Sequence, residues 1–127
     1  IMTPDEAQLA VEAGADAIVV SNHGGRVLDS VPATSEVLPD IARAVKGKTT
    51  ILVDGGVRSG GDILKLLALG ADAVMIGRPF SIAAIGGLRK GVENYIDTLE
   101  GELRQAMVLT GTESATNVDP GILVARP

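Results

Sequence analysis

Gly14-Ala15-Asp16-Ala17-Ile18-Val19-Val20 and Gly70-Ala71-Asp72-Ala73-Val74-Met75-Ile76 are near-copies of one another, 56 residues apart. Each begins with a glycine suited to ending a helix and runs into a short apolar stretch. Such a stretch reads as a strand covered on both faces, as in a parallel sheet. Thr50-Ile51-Leu52-Val53 lies between the copies and has the same character. The interval therefore holds two strand–helix units. Three strands alternating with helices predict an α/β fold with a parallel sheet and right-handed crossovers.

The segments around the strands read as helices. Thr3-Pro4-Asp5-Glu6 is a helix start, with Thr3 as N-cap, Pro4 at the first position and Glu6 completing a capping box. Leu9, Ala10 and Ala13 supply its apolar face. Val37, Leu38, Ile41 and Val45 mark a second helix, whose start is left open because Pro39 fits only within a first turn. Ile63 to Leu69 is a third helix, ended by Gly70. Leu88, Val92, Tyr95, Ile96, Leu99, Leu103, Ala106 and Met107 share one face of a long helix from about 88 to 109. The tail through Asp119-Pro120-Gly121 reads as surface chain.

Composition narrows the function classes. The chain has 127 residues and a net charge of −5, with 46% apolar residues. An acidic chain with scattered charges lacks the footprint of a nucleic-acid binder. No apolar run is long enough to span a membrane, and no signal peptide is visible. The absence of cysteine excludes disulfides, thiolate chemistry and Cys-based zinc sites, which fits a cytoplasmic protein. Three strands cannot close a barrel, and an open sheet this apolar exposes two edges. The chain, which begins at Ile1, is therefore expected to be a piece of a longer protein or to pair with a second chain. A flavodoxin-like sheet is the structural alternative.

In parallel α/β folds the working residues lie at the carboxyl ends of the strands. All three ends carry unusual loops here. After the first strand comes Ser21-Asn22-His23-Gly24-Gly25-Arg26, holding the single histidine. An imidazole can take a proton near neutral pH, and a guanidinium three residues on can grip a carboxylate. After the second comes Asp54-Gly55-Gly56-Val57-Arg58, with Gly60-Gly61 opening a helix suited to an anion. After the third comes Gly77-Arg78. Two adjacent loops, each with glycine and arginine, suggest a phosphate site. Asp16 and Asp72 precede strands, at the far end of the sheet, and read as structural. Asp29 reads as a turn or capping residue, and Met2, Met75 and Met107 as core.

Ser21 to Arg26 with Leu28-Asp29, Val31-Pro32-Ala33-Thr34, Asp54 to Arg58, Leu67 to Ala71 and Ile76-Gly77-Arg78-Pro79 together resemble the FMN-dependent α-hydroxy acid dehydrogenase and oxidase family. That family includes glycolate oxidase, lactate oxidase, and L-lactate and mandelate dehydrogenases. The resemblance covers nearly the whole chain and weakens after about residue 110. It implies a TIM (β/α)8 barrel, with residues 1–127 as its C-terminal part, strands six to eight. It implies FMN as cofactor, held by Ser21, Asp54, Gly55, Gly56, Arg58, Gly77 and Arg78. His23 is implied as the catalytic base and Arg26 as the residue binding the carboxylate of a small 2-hydroxy acid. A homo-oligomer, a tetramer, is also implied.

The family often has Gln at the position of Val27 and Arg-Gly-Thr at Ser59-Gly60-Gly61. Its flavin-side Lys, its substrate-contacting Tyr residues, the Asp that partners its histidine and its first five strands are not in this sequence. The chain alone is therefore expected to be inactive. The alternatives are another FMN barrel, of the type 2 isopentenyl diphosphate isomerase or IMP dehydrogenase kind, or a non-catalytic phosphate-binding half-barrel that self-assembles.

Overall fold

The computed structural model describes residues 1–124. Its order is α1 (Pro4–Glu12), β1 (Ala17–Val20), α2 (Thr34–Val45), β2 (Thr50–Val53), α3 (Gly60–Ala68), β3 (Ala73–Val74) and α4 (Arg78–Thr110). Short 3-10 turns occupy His23–Gly25 and Pro120–Ile122. The strands form one parallel sheet in the order β1-β2-β3, with Val20 beside Val53 and Val53 beside Val74. Every strand therefore ends at the same edge, where the three loops gather. No helix among the described residues is long and apolar enough to cross a membrane.

Within residues 1–124 the strands expected to be covered on both faces are covered on one. Ile18, Val20, Ile51 and Val53 are buried beneath the helices, while Ala17 and Thr50 are exposed and Val19 and Leu52 half-buried. Strand side chains alternate between faces, and only one face here carries helices. Leu38, Ile41 and Val45 of α2 complete the core with no exposed surface. Each such side chain contributes roughly 1.5–3 kcal/mol through burial. β3 is shorter than the predicted 73–76. Its ladder ends with β2, although the Met75 N–H still donates to the Val53 carbonyl at 2.8 Å.

The α1 capping box is present: Thr3 Oγ1 accepts from the Glu6 N–H and Glu6 Oε2 from the Thr3 N–H. Its packed face is Ala7, Ala10 and Val11, not the expected Leu9-Ala10-Ala13; Leu9 is 64% exposed. α2 starts at Thr34, where Glu36 reaches back to accept from the Ala33 N–H at 3.1 Å. Pro39 therefore lies inside the helix, beyond its first turn, with its ring partly exposed. α3 begins three residues before the expected Ile63, because Ser59 and Asp62 cap each other.

The long helix expected from about 88 to 109 is present and ends at Thr110. What was not expected is the helical segment before it, from Arg78 up to a break at Leu88, whose φ of 49° and ψ of −142° are not helical. The Phe80 and Tyr95 rings sit 5.0 Å apart, edge to face. An unbroken helix would separate residues so spaced by about 22 Å. The chain thus doubles back at Leu88. Leu88 itself and Ile96 face outward, while Val92, Tyr95, Leu99, Leu103, Ala106 and Met107 lie on the packed side.

Candidate active site

A cleft of about 840 Å³ opens at the carboxyl edge of the sheet. Ser21, His23, Arg26, Asp54, Gly55, Gly56, Arg58, Gly77 and Arg78 all line it. Every residue singled out from the sequence as a site candidate is therefore on one wall or another of a single cavity. The volume suits a cofactor or small ligand.

The first loop is built around His23. Its backbone has a φ of 56°, a region that residues with side chains seldom occupy. Two neighbours hold it there. Ser21 Oγ accepts from the His23 N–H at 3.1 Å, and Asn22 Oδ1 accepts from the Gly24 N–H at 3.0 Å. Asn22 also donates through Nδ2 to the Pro32 carbonyl at 3.2 Å, closing the loop that carries His23 and Arg26. Both of those side chains are exposed to the cleft.

The second loop follows directly from β2. The Asp54 N–H still pairs with the Val20 carbonyl at 3.1 Å, so the strand alternation extends to its side chain. By that register Ser21, Asp54 and Met75 form one row across the uncovered face. Met75, expected in the core, is 44% exposed and lines the cleft. Asp54 Oδ1 is buried and has no hydrogen-bond partner. A buried, unpaired carboxylate oxygen is costly unless a ligand donor meets it.

Arg58 is held from behind. Asp62 Oδ2 accepts from the Arg58 and Ser59 N–H groups, each at 3.2 Å, and the Tyr95 hydroxyl donates to the Arg58 carbonyl at 3.1 Å. Burial and the carboxylates of Glu102 and Asp62 push the Tyr95 phenol upward, keeping it a donor. One expectation fails here. The N-terminus of α3 is not free for an anion, because Glu102 Oε2 accepts from the Gly60 N–H at 2.8 Å and Asp62 occupies the preceding groups. Gly60 serves packing instead: a Cβ there would lie 2.6 Å from the Leu99 carbonyl oxygen and run into the Leu103 backbone.

In the third loop Gly77 caps α4 without a side-chain bond, and a Cβ on it would meet nothing within 4 Å. The Arg78 guanidinium reaches back across the edge to Gly24, where a Cβ would lie 3.0 Å from Nη2. First and third loops therefore touch. Among the described residues, no carboxylate pairs with Arg26, Arg58 or Arg78. Three unpaired guanidinium groups around one cleft make it a strong anion receptor.

Sequence reading missed Tyr95, Val57, Ile82 and Met75 as lining residues, and Asn22 as the tie that closes the first loop. Apolar side chains carry no chemistry that marks them, Val57 within Asp54–Arg58 included. Asn22 was quoted in the loop, but its dual bonding depends on where Pro32 returns.

Comparison with known proteins follows the same line. An L-lactate dehydrogenase of Xanthomonas campestris pv. campestris (strain B100) is 53% identical over 118 residues, covering 93% of this chain and 31% of the relative. An L-lactate dehydrogenase of Acinetobacter baylyi is 50% identical over 126 residues, covering 98% and 32%. A mandelate oxidase solved with 3,3-difluoro-2-hydroxy-3-phenylpropionic acid superposes with a TM-score of 0.88 at 50% identity, covering 91% of this chain and 35% of that one. The chain spans about a third of the length of these relatives. The family described as FMN-dependent dehydrogenase matches residues 1–125, and the chain belongs to it.

Proposed function

We propose that residues 1–127 are the C-terminal part, strands six to eight, of a single FMN-binding (β/α)8 barrel domain. The whole protein oxidises a small (S)-2-hydroxy acid of the lactate or glycolate type to the 2-oxo acid. The observation that carries this reading is the gathering of His23 and Arg26 in one cleft with the Asp54 and Gly77-Arg78 loops. The relatives named for L-lactate and mandelate agree with a 2-hydroxy acid substrate.

The residues present fit FMN. The orphaned Asp54 Oδ1 calls for a hydroxyl donor of the kind a ribityl chain offers. Among the described residues Arg58 and Arg78 have no carboxylate partners, which suits them to a phosphate. Cβ atoms on Gly56 and Gly77 would meet only open space, so these glycines leave the cofactor room at the backbone. Ser21 and Gly55 complete the wall.

When bound, FMN supplies the two-electron acceptor. The chain's own residues supply part of the rest. Arg26 grips the substrate carboxylate through paired N–H···O bonds and fixes the α-carbon beside His23. The imidazole takes one proton, from the substrate's α-carbon or its hydroxyl, as the C–O bond becomes C=O, and the electron pair with the other hydrogen would go to the acceptor that FMN supplies. The strained backbone at His23 fits a site in which position is bought with local strain. Val57, Ile76 and Ile82 line the cleft with apolar surface.

In the full-length protein, His23→Ala is expected to lower turnover of a 2-hydroxy acid by about 10²- to 10⁴-fold while the yellow flavin stays bound. Retained turnover removes His23 from the role of base. The chain by itself lacks most of a barrel and is expected to turn over no substrate.

A further inference from the structure

We propose that Thr34 is a positioning residue that ties the substrate-side loop to the cofactor-side loop and sets the Asp54 carboxylate for a hydroxyl of bound FMN. The proposal rests on the reading that this cleft holds FMN. Thr34 is the one buried polar side chain among the described residues, at 3% exposure. It does not line the cleft. Its hydroxyl donates to the Asp54 backbone carbonyl at 2.6 Å, a short bond for O–H···O.

The surroundings show why that bond matters. Gly55 follows Asp54 with a φ of +100°, and a Cβ on it would lie 2.9 Å from Thr34 Oγ1 and 3.6 Å from Asn22 Oδ1. Only glycine lets the backbone turn there while pressed against both side chains. Asn22 ties the first loop to Pro32, and Thr34 stands two residues beyond Pro32 at the start of α2. The first loop is thus pinned at its exit to the second loop's turning point. Asp54 is then fixed at both backbone polar groups, its N–H by Val20 and its carbonyl by Thr34. Its Oδ1 is buried with no partner of its own. The backbone that carries the carboxylate is therefore fixed before any ligand arrives, and less ordering remains to be done on binding.

The test uses the full-length protein stripped of flavin and titrated with FMN, followed by flavin fluorescence. Thr34→Val keeps the shape and removes the donor; Thr34→Ser keeps the donor. Thr34→Val is expected to weaken FMN binding by roughly tenfold or more, and Thr34→Ser by no more than about threefold. In an Asp54→Asn background, Thr34→Val is expected to weaken binding far less than it does alone. Wild-type protein that binds no FMN overturns the functional reading and this inference with it. Wild-type protein that binds FMN, with Thr34→Val binding it equally well, overturns the inference alone. Equal weakening by Val and Ser also overturns it, because packing and not the hydroxyl then matters. Should Thr34→Val fail to fold by circular dichroism, Thr34→Ala removes the same hydroxyl and is read the same way.

Discussion

Ser21, Asn22 and Asp62 act on backbone, and through backbone on the side chains that face the cleft. Ser21 and Asn22 accept the N–H groups of His23 and Gly24, while Asp62 accepts those of Arg58 and Ser59. Asp62 is partly buried, which raises its pKa. The hydrogen bonds from Ser59 and Arg58 and the charge of Lys65 outweigh that effect and hold its carboxyl below the ordinary value of 3.8. A carboxylate depressed in the folded state contributes stability above its unfolded pKa and loses it as pH falls through the folded one. Denaturation midpoints measured from neutral pH to about pH 3 should therefore fall with acid, and less steeply in Asp62→Asn. Identical slopes would remove Asp62 from this role. At this scale the sequence was informative where loop chemistry is local. His23, Arg26 and Arg78 sit beside glycines just after strands, and Arg58 lies two residues after Gly56; that pattern is visible without coordinates. Thr34 stands in a motif without being marked by it, because the worth of a buried hydroxyl depends on a partner twenty residues away.

Two helices cross where Gly60 meets Leu99 and Leu103, and the approach is closer than any side chain allows. α3 carries Arg58 at its entrance and α4 carries Tyr95 and Glu102, so the crossing sets how the second loop is held. Gly60→Ala is expected to cost about 3 kcal/mol or more, since the obstacle is backbone and not a movable side chain. Urea titration of the full-length protein measures this, and a loss below about 1 kcal/mol would show that the helices separate easily. From sequence, Gly60-Gly61 reads as an anion nest, because glycine serves ligand approach and helix approach equally well. The helix start near 88 is legible from periodicity, but the helical turns from Arg78 to the break at Leu88 are not, because Ile82 and Ile85 there are exposed and periodicity does not register a reversal. Gly91, whose Cβ would run into the Ala83 carbonyl oxygen, is what the reversal requires.

Across the whole molecule, one face of the sheet carries helices and the other does not. Val19, Leu52 and Met75 stand on the uncovered side, and Ile82 and Ile85 of α4 are 70% and 85% exposed. Apolar surface of that kind is covered by further protein in a stable fold. The isolated chain is expected to bind a hydrophobic dye such as ANS or to self-associate in sedimentation, and the full-length protein to do neither through this face. A monomeric isolated chain that binds no dye would show the face to be self-sufficient. The parallel order and single carboxyl edge were readable from the repeated apolar runs, because alternating strands and helices leave few topologies. One-sided coverage was not, since four apolar residues in a row look alike whether one face is buried or two. At the opposite edge, Asp72 accepts from the Ile51 N–H at 2.8 Å and from Lys46 Nζ at 2.6 Å, bracing the strands where no loop of the cleft reaches. Four-residue strands put roughly 13 Å between that brace and the cleft residues. An engineer can therefore harden this scaffold against heat from one pole and retune its chemistry from the other, as two separate problems.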